Sequence, residues 1–584
     1  MPDEMLLQVN KPGRYIAQEW NVSRKDFDKA YIKFALCFPD LYEIGMSNLG
    51  IRILYSLLNG IPDVVCERVF SCAEDMEKVL RDNGSGIYSL ESRKGLGEFD
   101  IIGFSLAHEL SYTNVLNILQ SGSIPLESSM RGNRYPLIIG GGPSTLNPEP
   151  MHEFFDLFVF GEAEEAIGEI IDIYRRYKEK YRGSSMDKEE LLSILSRVEG
   201  VYVPSLYEVC YTPDGRIKEF SPRIEGIPKR IIKRFIKDLN TSCFPTDWMV
   251  PYIQTVHDRI ALEIMRGCPN NCRFCQARTQ YFPFRQRTPD NIVGLAETAY
   301  RKTGYEEVSL CGLSVSDFSG LEGLLKRLIG TFKENAVSVS LPSMKPKDFI
   351  GSISSLIASI KKTGLTFAPE AGSERMRKIM NKNFSVEEFF SVIERAYASG
   401  YQNIKLYFMT GLPFEADGDL DGIVDLCMQT LDLGKKAGRR AAQLSVSVNT
   451  LIPKPHTPFQ WFRMEDIGGM EYKYNYLRNK LRHRRIRLSL RNPRMSFLEG
   501  VFSRGDRRLS RVVYNAFKKG ARFDAWDNHF IFERWMDAFA ESGIDPVFYL
   551  RERDKGEHLP WDILDIGISK EALRNEADKT IAMA

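Results

Sequence analysis

The chain lacks the bulk features that would direct it to a membrane or a secretory route. No stretch approaches the ~18 consecutive apolar residues of a membrane span. Its first residues, Met-Pro-Asp-Glu-Met, carry acids where a signal peptide carries bases, and no apolar run follows. The formal net charge is only +2, so no global field draws the protein to phosphate or lipid. There is no internal repeat and no low-complexity tract. These absences set the expectation of a cytoplasmic globular protein with no membrane partner.

A disulfide framework is missing too. Seven of the ten cysteines (37, 66, 72, 210, 243, 311, 427) are scattered, mostly within apolar segments, which suits reduced thiols. A length of 584 residues exceeds one hydrophobic core and predicts two to four domains.

The other three cysteines are concentrated. Cys268, Cys272 and Cys275 lie in Ile264-Met-Arg-Gly-Cys-Pro-Asn-Asn-Cys-Arg-Phe-Cys275, on a Gly/Pro/Asn turn after an apolar strand. Such a C-x3-C-x2-C run arises by chance in roughly 0.3 % of chains of this length and cysteine content. Soft thiolates select zinc or iron–sulfur clusters. Structural zinc needs four closed ligands, so a zinc reading needs a distant fourth such as His257. A 4Fe–4S cluster held by three cysteines instead keeps one iron open, which points to chemistry.

Residues 31 to about 175 alternate apolar runs (Tyr31–Phe38, Ile101–Ser105, Leu137–Ile139, Leu157–Phe160) with helix-like stretches such as Leu49–Leu58 and Tyr112–Gln120. That pattern predicts an α/β fold whose first domain, over 1–180, is a Rossmann-like, doubly wound parallel sheet. Its turns fall after the strands: Pro39-Asp-Leu-Tyr-Glu-Ile-Gly45, Ser105-Leu-Ala-His108, Gly140-Gly-Gly-Pro-Ser144 and Gly161-Glu-Ala-Glu164. Ligands bind at such ends, although tight turns without a ligand read the same way. A connector over 181–250 carries a hairpin turning at Pro213-Asp-Gly215.

From 251 to 470 six strands are predicted, beginning near Ile260, Glu307, Val337, Leu365, Asn403 and Gln443. A mostly helical extension is predicted over 471–584. Between Arg482 and Arg522 it holds thirteen Lys/Arg and two acids, Glu499 and Asp506. Either this is an RNA surface, testable by charge reversal at Arg504, Arg507 and Arg508, or it is a set of solvated basic helix faces.

The cysteine loop, with Phe274 just before the third cysteine, resembles the cluster loop of the radical S-adenosylmethionine (SAM) superfamily. The resemblance covers about residues 30–460. It implies a partial (β/α)6 TIM-type barrel with chemistry at the C-terminal ends of its strands. It also implies a 4Fe–4S cluster on Cys268, Cys272 and Cys275, with SAM on the open iron. Reduction by a low-potential donor such as flavodoxin or ferredoxin then yields methionine and a 5′-deoxyadenosyl radical that abstracts hydrogen from the substrate. Where the superfamily often has Gly-Gly-Glu, this chain has Cys311-Gly-Leu-Ser314, so backbone near Gly312 and Ser314 would meet SAM without that carboxylate. Phe367-Ala-Pro-Glu-Ala-Gly-Ser373, running on to Met-Asn-Lys382, is similar to a segment of cobalamin-type radical SAM enzymes and methylthiotransferases. By that likeness Glu370 and Ser373 face SAM; by local rules Ser373 is a helix N-cap.

Lys405 shares a strand face with Asn403 and Tyr407. If buried, it pairs with the SAM carboxylate or with a core glutamate. His456, in Pro-Lys-Pro-His, either meets substrate or only hydrogen-bonds at the barrel rim, and Cys311 is either a relay or a structural thiol.

The N-terminal turns resemble a cobalamin-binding domain, with one departure. Such domains often carry Asp-x-His-x-x-Gly, whose histidine ligates cobalt, and here Tyr42 stands in its place. Cobalamin would then bind without a protein ligand to the metal, or not at all. Members of a similar subgroup share Leu559-Pro-Trp-Asp-Ile-Leu-Asp-Ile-Gly-Ile-Ser-Lys570, and many continue into a cysteine-rich tail and partner domain. A separate partner protein is therefore expected. The reading is a radical SAM enzyme of unassigned substrate, RNA or protein included. Its rivals are a cobalamin-dependent radical methyltransferase and a non-enzymatic RNA- or ribosome-binding protein with a structural metal.

Overall fold

The computed structural model describes residues 3–182, 187–341, 365–439 and 441–583. Strands β1 (Ile32–Phe38), β2 (Val64–Phe70), β3 (Ile101–Ser105), β4 (Leu137–Gly141), β5 (Leu157–Val159) and β6 (Val201–Tyr202) form one sheet, ordered β2-β1-β3-β4-β5-β6. The first five run parallel and β6 closes the edge antiparallel. Strand order reverses at β1, which opens a crevice beyond the carboxyl ends of β1 and β3. Phe34 and Leu36 pack towards helices Leu49–Gly60 and Ala163–Lys180. Ala35 and Cys37 face helix Tyr112–Ser121 and the C-terminal helices Pro493–Arg504 and Leu509–Lys518. The extension thus covers one whole face of the N-terminal sheet.

Strand β2 lies outside the expected runs because Glu67 and Arg68 interrupt it. Both are buried. Arg68 pairs with Glu19 at 2.9 Å and Glu91 at 2.7 Å, while Glu67 accepts from the hydroxyls of Ser89 and Ser92.

The expected hairpin is β7 (Tyr207–Tyr211) with β8 (Ile217–Pro222), followed by β9 (Ile231–Ile232). Next come β10 (Ile260–Glu263), the short antiparallel pair β11 (Met265–Arg266) and β12 (Arg285–Gln286), β13 (Glu307–Cys311), β14 (Ser338–Ser340), β15 (Leu365–Glu370), β16 (Asn403–Thr410) and β17 (Gln443–Thr450). All six expected strand starts are present. A seventh parallel strand, β18 (Ile486–Leu490), adds to β17 from within the stretch expected to be mostly helical. Its Ile-Arg-Leu-Ser-Leu alternation has strand period, which the basic composition obscured. Among the described residues these strands form two all-parallel sheets, β10-β13-β14 and β15-β16-β17-β18.

The Leu559–Lys570 segment returns to the middle of the chain. Its strand β19 (Leu564–Asp565) pairs with β9, and helix Lys570–Ala582 follows. No helix among the described residues is long and apolar enough to cross a membrane. All ten cysteines are free; Cys37, Cys66, Cys72 and Cys427 are buried, whereas Cys210 is exposed.

Candidate functional site

The cysteine loop leaves β10 at its C-terminal end and is pinched at its base by β11 and β12. Gly267 makes that pinch, with φ +84° and a carbon-free side facing the Tyr281 and Pro283 carbonyls, 2.7 and 2.8 Å from where a Cβ would stand. Only glycine fits there. Cys268, Cys272 and Cys275 are all half-buried along the loop. Asn270 donates to the Cys268 sulfur at 3.2 Å and to the Asp317 carboxylate at 2.7 Å, and the Ser314 hydroxyl donates to that same carboxylate at 2.7 Å. Ser314 therefore supports the loop through Asp317.

Arg273, between the second and third cysteines, fixes the other side. Its guanidinium donates to the Lys378 and Ile379 carbonyls, both at 3.0 Å, and to Glu576 on the last helix at 3.0 Å. Asn381 donates to the Asn271 carbonyl at 2.9 Å. Burial pushes the Cys272 thiol up to about 11, against the pull of Lys382, and also raises Cys275. Burial thus favours the protonated form of these two thiols, and a metal would have to displace the proton on binding.

Among the described residues, no three His, Cys, Asp or Glu side chains converge on a point that would hold one ion. A single zinc completed by His257 has no such geometry. A four-iron cluster takes one iron per thiolate and asks for no convergence on a single point. The donor set fits the cluster.

Glu370 stands at the end of β15 with φ +65° and accepts from Lys382 at 2.8 Å. Both groups are near enough to act on the Cys272 thiol, and the Lys382 ammonium lies 6.0 Å from the Phe274 ring. The structure thus gathers Glu370, Phe274 and Lys382 at the loop. Lys382 is the cation that sequence reasoning passed over, although it closes the Met-Asn-Lys segment quoted for the resemblance.

Lys405 does not fulfil the condition set for it, burial. It is exposed, 4.6 Å from the Tyr407 ring, and five residues short of the C-terminal end of β16. At about 3.3 Å per residue it lies some way below the cysteine loop. Ser373 is an N-cap: its hydroxyl accepts from the Met376 amide at 3.2 Å and donates to Asp419 at 2.5 Å.

His456 is buried rather than on the rim. Its Nε2 donates to the Leu146 carbonyl at 3.1 Å, and its ring lies near Phe160 and Trp561. Burial lowers its pKa to about 3, so the ring is neutral and joins the barrel to the first sheet. Nothing in that setting gives it a substrate to touch.

Cys311 and Gly312 end β13 against a cavity of about 560 Å³. Its floor is Leu36, Gly103 and Ile139 of the first sheet, and its rim is Ser105, Gly141, Gly142, Gly161 and Glu162. Met265, Cys311, Gly312 and Leu313 close it from the barrel side. A Cβ at Gly312 would meet the Met265 side chain at 2.4 Å, so the turn is pressed onto the cysteine-loop strand. Burial pushes the Cys311 thiol up to about 11.

Tyr42 does not line this cavity. It is buried, and its phenol donates to Glu19 at 2.7 Å within the Arg68 network. Asp40 is likewise held, accepting from Trp526 at 3.0 Å.

The Gly161-Glu-Ala-Glu164 turn has a role not read from sequence. Arg266, two residues before Cys268, meets Glu162 at 3.0 Å, Glu164 at 2.8 Å and Glu263 at 2.9 Å. Arg285 adds a bidentate pair to Glu162 at 2.6 and 2.9 Å. Burial alone would raise the Glu162 carboxyl, but Arg285 and Arg266 hold it below the ordinary range. Buried ionic networks of this kind fix geometry more than they add stability. Here the network locks the first sheet to the base of the cysteine loop. Carboxylates on a strand-end turn facing arginines spaced along a loop were the available signal.

Eight of the thirteen Lys/Arg in the 482–522 stretch are exposed, but the three arginines named for charge reversal are engaged within the fold. Arg504 is fully buried and donates to the carbonyls of Tyr549, Pro453, Gln460 and Arg551. Arg507 pairs with Glu149 at 2.8 Å and Arg508 with Asp506 at 2.7 Å. These three arginines hold the fold together and are the wrong residues for an RNA test.

With this geometry established, comparison with known proteins is decisive. The profile described as "Radical SAM proteins, N-terminal" matches residues 50–204, and that of the Radical SAM superfamily matches 262–427, including the cysteine loop. The chain belongs to the radical SAM superfamily. It is 27 % identical over 515 residues to an uncharacterised protein of Methanocaldococcus jannaschii, covering 87 % of this chain and 97 % of that one. It is 25 % identical over 217 residues to the tRNA-2-methylthio-N(6)-dimethylallyladenosine synthase of Petrotoga mobilis, covering 35 % of this radical SAM chain and 49 % of the synthase. Among solved structures, the radical SAM methyltransferase TsrM from Kitasatospora setae, with cobalamin and a 4Fe–4S cluster bound, aligns with a TM-score of 0.45 and 12 % identity, over 71 % of this chain and 74 % of that one.

Proposed function

We propose that this radical SAM protein is an enzyme that cleaves SAM reductively on a 4Fe–4S cluster held by Cys268, Cys272 and Cys275. The observation that carries the reading is a set of three half-buried thiols, Cys268, Cys272 and Cys275, on one short loop braced by Asn270 and Arg273. When bound, such a cluster supplies the electron that splits the SAM sulfonium into methionine and a 5′-deoxyadenosyl radical. The chain's own residues do the placing. Asn270, Asp317 and Ser314 steady the first thiol, and Arg273 fixes the stretch around the second and third. Lys382 and Glu370 offer a cation and a carboxylate beside the loop for the charged and hydroxylated parts of SAM. Gly312, at the end of the next strand, lines the adjoining cavity and would offer only backbone. The electron arrives from a low-potential donor such as a flavodoxin or ferredoxin.

The test is anaerobic reconstitution with iron and sulfide, then SAM and dithionite, with 5′-deoxyadenosine and methionine measured. Wild-type protein is expected to form both. Equal product from Cys275→Ala would overturn the assignment.

The cavity between the first sheet and the cysteine-loop strand supports a second reading, a corrinoid-dependent methyltransferase. Its apolar floor and glycine-lined rim suit a large flat ring with a tail directed into the sheet. A corrinoid there would supply a methyl carrier. Tyr42, already bonded to Glu19, would not ligate its metal. Retention of a corrinoid chromophore, with S-adenosylhomocysteine formed beside 5′-deoxyadenosine, is the expected signature. Loss of retention in Gly141→Leu, with folding intact by circular dichroism, would assign the chromophore to this cavity. An RNA-binding reading rests on the exposed cations of the 482–522 stretch, such as Arg482, Arg484, Arg511 and Lys518, rather than on Arg504, Arg507 and Arg508.

A further inference from the structure

The four-stranded sheet buries only one of its faces. Ile404, Leu406 and Phe408 of β16, with Leu444, Val446 and Val448 of β17, are buried against the helices. The opposite face is polar. In register across it run Thr366, Lys405, Ser445 and Arg487, with Tyr407, Ser447 and Ser489 in the next row. Barrel interiors of this type are ordinarily packed with branched apolar side chains. Here Lys405 and Arg487 are exposed, and among the described residues neither meets a carboxylate. Their strands flank β17, so their Cα atoms are about 10 Å apart, two inter-strand spacings. Side chains of that length reach inwards to a shared point above Ser445.

We propose that this row binds a phosphate group of the substrate, resting on the proposed function for the identity of the reaction. The acidic side chains on the equivalent face lie elsewhere: Glu263 is held by Arg266, and Glu307 by Arg259 at 3.4 Å. Among the described residues, no carboxylate therefore pairs with the cations on either side of β17. A guanidinium fork, an ammonium and a row of hydroxyl donors match a tetrahedral dianion with three free oxygens better than a planar carboxylate with two. The site lies well below the cysteine loop along the strands, so it would grip a remote part of an elongated substrate and leave its far end beside the cluster loop. Remote binding energy of this kind orients the reacting end.

The experiment measures binding of inorganic pyrophosphate to the full chain by titration calorimetry, without SAM or reductant, so its outcome is independent of whether SAM is cleaved. Pyrophosphate is expected to bind one site, with affinity falling as salt rises. Lys405→Gln and Arg487→Gln should each weaken it about tenfold or more. Arg482→Gln and Arg484→Gln, exposed cations outside the registered rows, are the controls. Citrate should bind more weakly than pyrophosphate. No binding, preference for citrate, or equal weakening in the controls overturns the proposal. Competition by a short oligoribonucleotide would assign the phosphate to a nucleic acid, and its absence to a small phosphoester.

Discussion

The first sheet and the sheet β15–β18 carry the same parallel strand–helix pattern but bury it differently. In the first, alternate residues of β1 enter two separate cores, one under its own helices and one under the C-terminal extension. In the second, alternate residues of β16 and β17 enter one core, and their neighbours remain open and polar. Full cover makes a rigid wall, against which the cavity and the cysteine loop are registered. Half cover leaves a polar face open, the face proposed above to bind phosphate. The difference locates precision at the seam between the sheets and access on the open side.

The seam is where the largest losses are expected. Arg504→Ala removes the donor shared by four buried carbonyls, and unsatisfied groups there cost roughly 3 kcal/mol or more in total. Burial, with the nearby Arg553 and Arg551, already depresses that guanidinium, and its hydrogen bonds to the carbonyls are its local compensation. Urea unfolding should show a large drop in midpoint for Arg504→Ala and little recovery with Arg504→Lys, whose ammonium cannot fork across them. Retention of the wild-type midpoint would show that the extension is not needed to cover the first sheet.

Acid should weaken the same seam. The pKa of His456 falls to about 3 and that of His152 to about 4, both chiefly through burial. An unfolded histidine titrates near 6.5, so below that pH the unfolded chain binds protons that the folded one refuses. Stability from these rings is therefore complete above about pH 6.5 and falls as pH drops towards 4, by about 1.4 kcal/mol per pH unit for each ring. Asp524, raised to about 6 by burial, has the opposite sign, its contribution being present below about pH 4 and lost as pH rises through 6. Denaturation midpoints measured from pH 7 to 5 should fall less steeply in His456→Gln than in wild type. An unchanged slope would mean that the ring is not excluded from water.

How much of this was legible follows from what each residue does locally. The six barrel strands were readable because apolar runs begin after turn residues, and the cysteine loop because its spacing is rare. Strand β2 was not, since Glu67 and Arg68 look like surface residues until Glu19, Ser89 and Glu91 are brought to them across the fold. The burial of Lys405 was left open because strand period gives a shared face but not whether that face is covered. His456 and Arg504 carry polar labels in sequence, and only the approach of the Leu146 carbonyl to His456 and of the Tyr549 carbonyl to Arg504 gives them interior partners. Tertiary partners, not propensity, decided each of these.

A smaller effect is expected at the clamp on the cysteine loop. Glu576→Gln keeps the shape of the last helix but removes the charge that meets Arg273. The carboxylate is partly exposed, so global stability should change by under about 1 kcal/mol. The loop should nevertheless loosen, seen as faster loss of iron from reconstituted protein in air. Wild-type iron retention in that variant would confine the bracing of the loop to the Lys378 and Ile379 carbonyls.

The smallest effect tests the two faces of one strand. Val446→Ala cuts into the helix-covered core and should cost about 1–3 kcal/mol through lost burial and the cavity left behind. Ser447→Ala, one residue on, removes a hydroxyl from the open face and should shift stability by less than about 0.5 kcal/mol. If the face is open to substrate, only Val446→Ala lowers the unfolding midpoint. Equal costs would mean that the hydroxyl row is packed against something in the folded chain, and the contrast between the sheets would then be one of polarity rather than of cover.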